Sequence, residues 1–305
     1  MRKFIVSNIY GNGDIYNTIM SYLENIKKEE DVELYINGDL IDYGLDSYSI
    51  LLDVKKKIEC KKGIKINYIS GDHEYKMYKV LEKRKINGTI SNWNSWVRNG
   101  GNTISETINA MFFKNEKCEE IRRFVSNLKI CHVFKEKING KKILLVHAQA
   151  PKSVSEIVKY NIHDYHHSIY KYICTKEKNF FGMKKRIGNN EYFTITSNQN
   201  NEKDYVFSYN DKNNSLNITS NCKDYSKGIF NKGYFPLLEI KENKIEILLF
   251  NHNNEILKGF YFDGKNNSMT EEELEERRKY IDHNYDNREK IYQKRIIENN
   301  IRRMK

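Results

Sequence analysis

The chain has 305 residues and a formal net charge of +11, from 52 Lys and Arg against 41 Asp and Glu. That length supports a substantial buried core, at the upper end for one α/β domain. Five cysteines, odd in number and without a C-x-x-C pair, argue against a disulfide scaffold or zinc ribbon and for reduced thiols in a cytoplasmic setting.

The apolar stretch after Met1 is too short for a secretory leader, and no run reaches the roughly 18 apolar residues that span a bilayer. No membrane partner is therefore expected. The basic charge is scattered, in pieces such as Lys55 to Lys57, Lys61-Lys62 and Lys184 to Arg186. Such scatter suits a generic solvated surface, with a nucleic-acid or other polyanion-binding face as the competing reading.

Taken in chain order, the first 150 residues alternate strand and helix signals. FIVSN (4–8) is a β-branched, aromatic run that stops at Tyr10-Gly11, and an amphipathic helix follows around Tyr16–Lys28. VELYIN (32–37) is the next strand, ending at Gly38-Asp39, and a helix around Tyr48–Cys60 leads to KINYIS (65–70), ending at Gly71-Asp72. Residues 87–130 read as helices and a loop. KKILLVHA (141–148) is an apolar strand that stops at His147. This rhythm predicts a layered α/β sheet with ligand chemistry at the strand ends.

The second half turns β-rich, with strands expected at 192–197, 204–209, 235–241, 244–250 and 256–262. From Asn266 the composition shifts to a Pro- and Gly-free stretch opening with Thr270 and Glu273, a capping-box pattern. The expected organisation is a domain over 1–265 and a helical extension over 266–305. Leu274, Ile281, Tyr285, Tyr292 and Ile296 can form one stripe, to be packed on the domain or used as a dimerisation or partner-binding arm.

The strand ends bring Asp39, Asp42, Asp72, His73 and His147 to one sheet edge. Carboxylates and imidazoles converging there suit a divalent-metal site better than mere helix caps or turns. A second cluster, His163, His166 and His167, offers an i,i+4 pair, although a polar helix face accounts for it more simply. Trp93, Trp96, Tyr170 and Tyr172 read as core or rim packing rather than a base-stacking platform.

These motifs, in this order, resemble the calcineurin-like metallophosphoesterases, and among them the phosphoprotein (Ser/Thr) phosphatase branch. That branch has D-x-H, G-D-x-x-D-R-G, G-N-H-E, V-H-A and G-H. This chain has Asn8-Ile9-Tyr10, Gly38-Asp39-Leu40-Ile41-Asp42-Tyr43-Gly44, Gly71-Asp72-His73-Glu74, Val146-His147-Ala148 and Ser197-Asn198. WVRNGGNT (96–103) is similar to the Trp/Asn-Gly-Gly element that follows G-N-H-E there. The resemblance covers residues 3–250 and implies a metallophosphoesterase-type β-sandwich flanked by helices.

It further implies two bridged metal ions, with Asp39 as the bridge and Asp42–His73 as the acid dyad that protonates a leaving group. Asn8, Tyr10 and Asn198 then stand where metal ligands are expected, and Tyr43 stands where an arginine grips phosphate. Arg186 is the one arginine between His147 and Asn198 where a second phosphate-gripping arginine is expected. What remains is a vestigial Asp42–His73 dyad and a residual site of Asp39, Asp72 and His147, for one divalent ion (Mn, Fe, Zn or Mg) or none. The expectation is a pseudophosphatase that binds or regulates, its partner a protein or phosphorylated ligand. A phosphoesterase with a single-metal site is the alternative, and a polyanion-binding module a further one.

Overall fold

The computed structural model describes residues 1–84, 94, 96–101, 115–148, 150, 153–164, 191–197, 207–210, 214–218, 234–251 and 256–262. Two mixed sheets face each other. The first has six strands in the order β11-β10-β9-β1-β2-β3, and the second five in the order β4-β5-β6-β8-β7. In the first, β1 (Arg2–Val6), β2 (Val32–Asn37) and β3 (Lys65–Ile69) run parallel. Antiparallel β9 (Tyr234–Lys241), β10 (Lys244–Asn251) and β11 (Ile256–Phe262) extend it on the β1 side. In the second, β5 (Lys141–Val146) and β6 (Phe193–Thr196) are parallel, with β4 (Cys131–Ile138) on one side and β7 (Phe207–Asn210) and β8 (Ser215–Ile218) on the other.

Strand alternation builds the layers. Ile5 and Tyr35 point between the sheets and join Ile143, Leu145, Phe193, Ile195, Leu238 and Ile247 in one apolar core. Their neighbours Phe4, Val6, Leu34 and Ile36 point to the other face, under α1 (Gly13–Lys27), α2 (Ser47–Cys60), α3 (Asp72–Arg84) and α4 (Asn115–Ser126). On the far side of the second sheet, Leu144 and Val146 meet Val154 and Ile157 of the short α5 (Val154–Ile157). A helix layer, two sheets and a small outer cover follow from period-2 patterning with both faces of β1, β2 and β5 buried.

The central parallel strands lie within a residue or two of their predicted positions, and α1 begins at Gly13 because the Asn12 side chain accepts from the Ile15 N–H at 3.1 Å. β4 falls next to the helical region and was not expected from periodicity. Its hairpin to β5 turns on Asn139 and Gly140, both at positive φ (51° and 74°), which is the Asn-Gly signal for such a turn. β8 was likewise not expected. Among the described residues no helix is long and apolar enough to cross a membrane. Residues 266–305 lie outside the described residues, as do Trp93, His166, His167, Tyr170, Tyr172, Arg186 and Asn198.

Near the amino end of the parallel strands, His132 packs against both Tyr35 and Phe134, with ring centroids 4.7 Å away in both cases. Burial holds its imidazole below the usual range, and Lys3 and Lys65 add to this against the opposing pull of Glu33 and Glu136. The folded state therefore disfavours the proton that the unfolded chain takes up below about pH 6.5. Stability attributable to this residue is lost as pH falls from there. His132→Phe should flatten the decline of the urea midpoint between pH 7 and pH 5, and an unchanged slope would refute the assignment.

Candidate functional site

The carboxyl ends of β1, β2, β3, β5 and β6 converge, and the loops that leave them are zipped together by backbone hydrogen bonds. The Asn8 N–H donates to the Gly38 carbonyl (3.0 Å), Tyr10 to Asp39 (3.0 Å), Gly11 to Leu40 (2.8 Å) and Gly44 to Tyr10 (2.8 Å). Asn8, Tyr10, Asp39, Asp42 and Tyr43 all have positive φ, between 50° and 74°. Such backbone is costly for a tyrosine or aspartate and is held only where the surroundings over-determine it. Gly71 permits a close approach, since a Cβ there would lie 2.4 Å from Asp39 Oδ1 and 2.5 Å from the Asp39 nitrogen.

Glu74 organises these loops from below. Its fully buried carboxylate accepts from the backbone N–H groups of Asp39 (2.9 Å), Leu40 (2.9 Å) and Gly71 (2.8 Å) and from the Tyr68 hydroxyl (2.7 Å). Burial and the nearby Asp39 raise its pKa, while these donors pull the other way. The sequence shows the glutamate beside His73, but its role depends on three backbone amides that no side-chain pattern reveals.

At the centre, Asp39, Asp72 and His73 offer ligand atoms that all lie within 4.8 Å of one another, a group able to hold a metal ion. His147 approaches the same carboxylates, its Nε2 being 3.3 Å from Asp39 Oδ2 and 3.6 Å from Asp72 Oδ1. On the other side of the ring, Nδ1 lies 2.7 Å from the Asn37 carbonyl, with the Ser197 hydroxyl at 3.0 Å. The carbonyl accepts from Nδ1–H, which fixes Nε2 as the nitrogen facing the carboxylates.

Nε2 is fully buried and makes no hydrogen bond of normal geometry. Its separations from two carboxylate oxygens suit atoms that would share one ion. Burial opposes a charge on this ring, yet Asp39 and Asp72 outweigh it and push the imidazole up to about 10. A proton or a metal ion therefore satisfies the gap, and the donor set of Asp39, Asp72 and His147 fits one divalent cation.

The neighbouring position is filled by protein. The Tyr10 hydroxyl donates to Asp39 Oδ2 at 2.8 Å. Burial raises the phenol's pKa well above its usual value, and Asp39 and Asp72 raise it further, so it is a neutral donor. Its ring meets those of Tyr43 and His73 edge-on, with centroids at 5.4 and 5.3 Å. Asn8 donates from Nδ2 to the Ser197 carbonyl at 3.0 Å. A second ion bound through residues 8 and 10 does not fit these side chains.

His73 Nδ1 lies 2.7 Å from Asp42 Oδ2, and both residues are buried. The Trp96 indole N–H donates to the same oxygen at 2.9 Å. Burial drives Asp42 upward against His73 and Trp96, while on His73 burial is outweighed by Asp39, Asp42 and Asp72, which raise it. The pair can hold and release a proton beside the carboxylate cluster. Trp96 is completely buried and packs against Gly101, so this ring is core and takes no part in stacking on bases. The sequence places it 54 residues from its partner Asp42, and only the fold joins them.

At the rim, Lys76 Nζ lies 2.9 Å from Asp72 Oδ2, one helical turn along α3. Asp72 is held below the usual carboxylate range: burial and Asp39 push it up, but His147, His73 and Lys76 outweigh them. Of the histidine cluster, the described His163 is exposed in a turn beside Asp164, at 3.3 Å.

The family model for calcineurin-like phosphoesterases matches residues 9–168. No curated protein is matched in sequence. Among solved structures, a serine/threonine protein phosphatase from Saccharomyces cerevisiae is 11% identical with a TM-score of 0.49, over 79% of this chain and 72% of that one. A cold-active protein-tyrosine phosphatase of a psychrophilic Shewanella species is 12% identical at 0.47, over 84% and 80%. Another structure of a cold-active protein tyrosine phosphatase is 13% identical at 0.50, over 87% and 80%.

Proposed function

This chain belongs to the calcineurin-like phosphoesterase family, and we propose that within it the protein is a pseudophosphatase that binds a phosphorylated ligand at a one-ion site. The observation that carries this reading is the Tyr10 hydroxyl, 2.8 Å from Asp39 Oδ2. A two-ion clamp would stabilise both the attacking and the leaving oxygen of a phosphoryl displacement. With the phenol seated on Asp39 and an amide at residue 8, that clamp is lost. Tyr43 takes away a bidentate grip on the phosphoryl oxygens as well.

Asp39, Asp72 and His147 are the residues that would hold the remaining ion, with Asn37 and Ser197 orienting the imidazole. Such an ion supplies positive charge to a phosphoryl oxygen. The positive φ at Asn8, Tyr10, Asp39, Asp42 and Tyr43 supports a retained binding role, because strained ligand-presenting loops persist here with altered side chains.

A second reading, a phosphoesterase with a single-metal site, is favoured by the Asp42–His73 pair. Its 2.7 Å contact keeps a proton donor beside the cluster. One experiment separates the two. Protein purified without chelator and titrated with Mn²⁺ should bind about one ion per chain and leave p-nitrophenyl phosphate unhydrolysed above background. Metal-dependent turnover abolished by His73→Ala would overturn the pseudophosphatase in favour of the single-metal enzyme. Two bound ions would overturn both.

A further inference from the structure

We infer that Lys76 is the phosphoryl anchor of this site, holding a phosphomonoester dianion at the rim in place of the guanidinium that Tyr43 does not provide. This inference rests on the one-ion reading above and adds the residue that recognises the ligand's charge. Lys76 follows Asp72 by one turn on α3, so both side chains leave the same helix face toward the strand ends. Its ammonium contacts Asp72 at 2.9 Å, and its side chain keeps 30% of its surface exposed, against 15% for Asp72. It is thus the part of the cluster nearer to solvent.

Three further features point the ammonium at a ligand rather than at Asp72 alone. An ammonium has three donor hydrogens, and the ion pair with Asp72 Oδ2 uses one. Its charge also acts on Asp42 of the dyad as well as on Asp72, the one carboxylate it contacts. Tyr43 is the other side: its ring is 5.3 Å from that of His73, and the phenol and Lys76 influence each other electrostatically. A tetrahedral dianion reaching toward Asp39, Asp72 and His147 would pass this ammonium.

Lys76 also solves a charge problem that an incoming dianion would meet. Asp39, Asp42, Asp72 and Glu74 crowd the loops, and each repels phosphate. The other positive groups among the site residues are the His73 and His147 rings, both 98% or more buried. A bound ion would offset Asp39 and Asp72, leaving Lys76 to meet the phosphoryl oxygens from the solvent side. As a point charge on a flexible stem, a lysine gives affinity with less geometric demand than an arginine fork. That suits binding rather than transition-state alignment.

The experiment uses the full chain at saturating Mn²⁺, with inorganic phosphate and phenyl phosphate as probes, followed by calorimetry or by NMR titration. Lys76→Met should weaken both probes about tenfold or more, and Lys76→Arg should restore binding to within about threefold. A lysine that merely neutralises Asp72 would change Mn²⁺ affinity and leave the phosphate affinity at saturating metal alone. If Lys76→Met folds poorly, Lys76→Gln replaces it, with retained Mn²⁺ stoichiometry as the check on the site. Phosphate binding by Lys76→Met or Lys76→Gln within twofold of wild type overturns the anchor and spares the one-ion reading. A wild-type protein that takes up Mn²⁺ and no phosphate overturns the anchor and the phosphorylated-ligand part of that reading. One that takes up neither overturns both.

Discussion

Glu74→Ala should be the most destabilising single substitution in the strand-end loops. It strips the acceptor from three buried backbone amides, those of Asp39, Leu40 and Gly71, and from the Tyr68 hydroxyl. Each buried donor left without a partner costs about 1–3 kcal/mol. Water entering the hole would recover part of this, so a loss of about 4–6 kcal/mol is expected, against a total stability of about 5–15 kcal/mol. Glu74→Gln is the informative companion. Its amide oxygen can serve Asp39 and Gly71 while its NH₂ turns to Tyr68, whose hydroxyl can accept, and to the Leu40 N–H, where two donors collide. Removing a carboxylate also relieves repulsion with Asp39, which is one cause of the raised Glu74 pKa. The glutamine variant should therefore lose about 1–3 kcal/mol. Urea denaturation of the three proteins at pH 7 reads the difference. Equal losses for alanine and glutamine would show that the site depends on the volume of residue 74 and not on its acceptors.

The contrast between His147 and Glu74 explains how much of the site was legible in the sequence. An apolar strand stopping at a lone histidine is a local pattern, and so are Gly38-Asp39 and Gly71-Asp72 after β-branched runs. Because β1, β2 and β3 of one sheet and β5 and β6 of the other end on the same side, the residues that follow them trace much of the candidate site. Glu74, Trp96 and Lys76 escape that logic. Glu74 works through backbone amides, Trp96 reaches Asp42 across the fold at 2.9 Å, and Lys76 reads as one of many surface lysines until its contact with Asp72 is known. The layers were legible for the same reason: the central strands are apolar on both faces. β4 was missed because its CHVFKEKI run mixes exposed charge with apolar residues. The turn at Asn139-Gly140 was the better signal there. His73 shows the limit from another side: its motif marks it for proton transfer, yet it also sits in the donor group with Asp39 and Asp72.

On the one-ion reading proposed above, a carboxylate at residue 8 and an imidazole at residue 10 should admit a second ion. In Asn8→Asp/Tyr10→His, both side chains hang from backbone already at positive φ, 56° and 50°, so no loop has to be rebuilt. Without metal the variant should be less stable than wild type. The new carboxylate cannot donate to the Ser197 carbonyl as Asn8 does at 3.0 Å, and Asp39 loses the hydroxyl of Tyr10. Exchanging a buried phenol for a smaller imidazole beside Tyr43 and His73 adds a cavity cost, and together these amount to about 3–5 kcal/mol. Added Mn²⁺ should reverse that loss, because an ion that binds only the folded state stabilises it in proportion to the logarithm of its concentration. The bound metal should rise from about one ion per chain to about two. The two-ion clamp contributes several kcal/mol of transition-state stabilisation, so p-nitrophenyl phosphate turnover, absent from wild type, should rise at least about tenfold above background. Adding Tyr43→Arg should raise it again through a bidentate hold on the phosphoryl oxygens. The single variants discriminate between causes. Tyr10→His alone frees Asp39 but supplies one ligand, and Asn8→Asp alone leaves the phenol in place, so neither should retain the second ion. A double variant that folds, binds one ion and stays inert would show that the phenol is not what excludes the second metal.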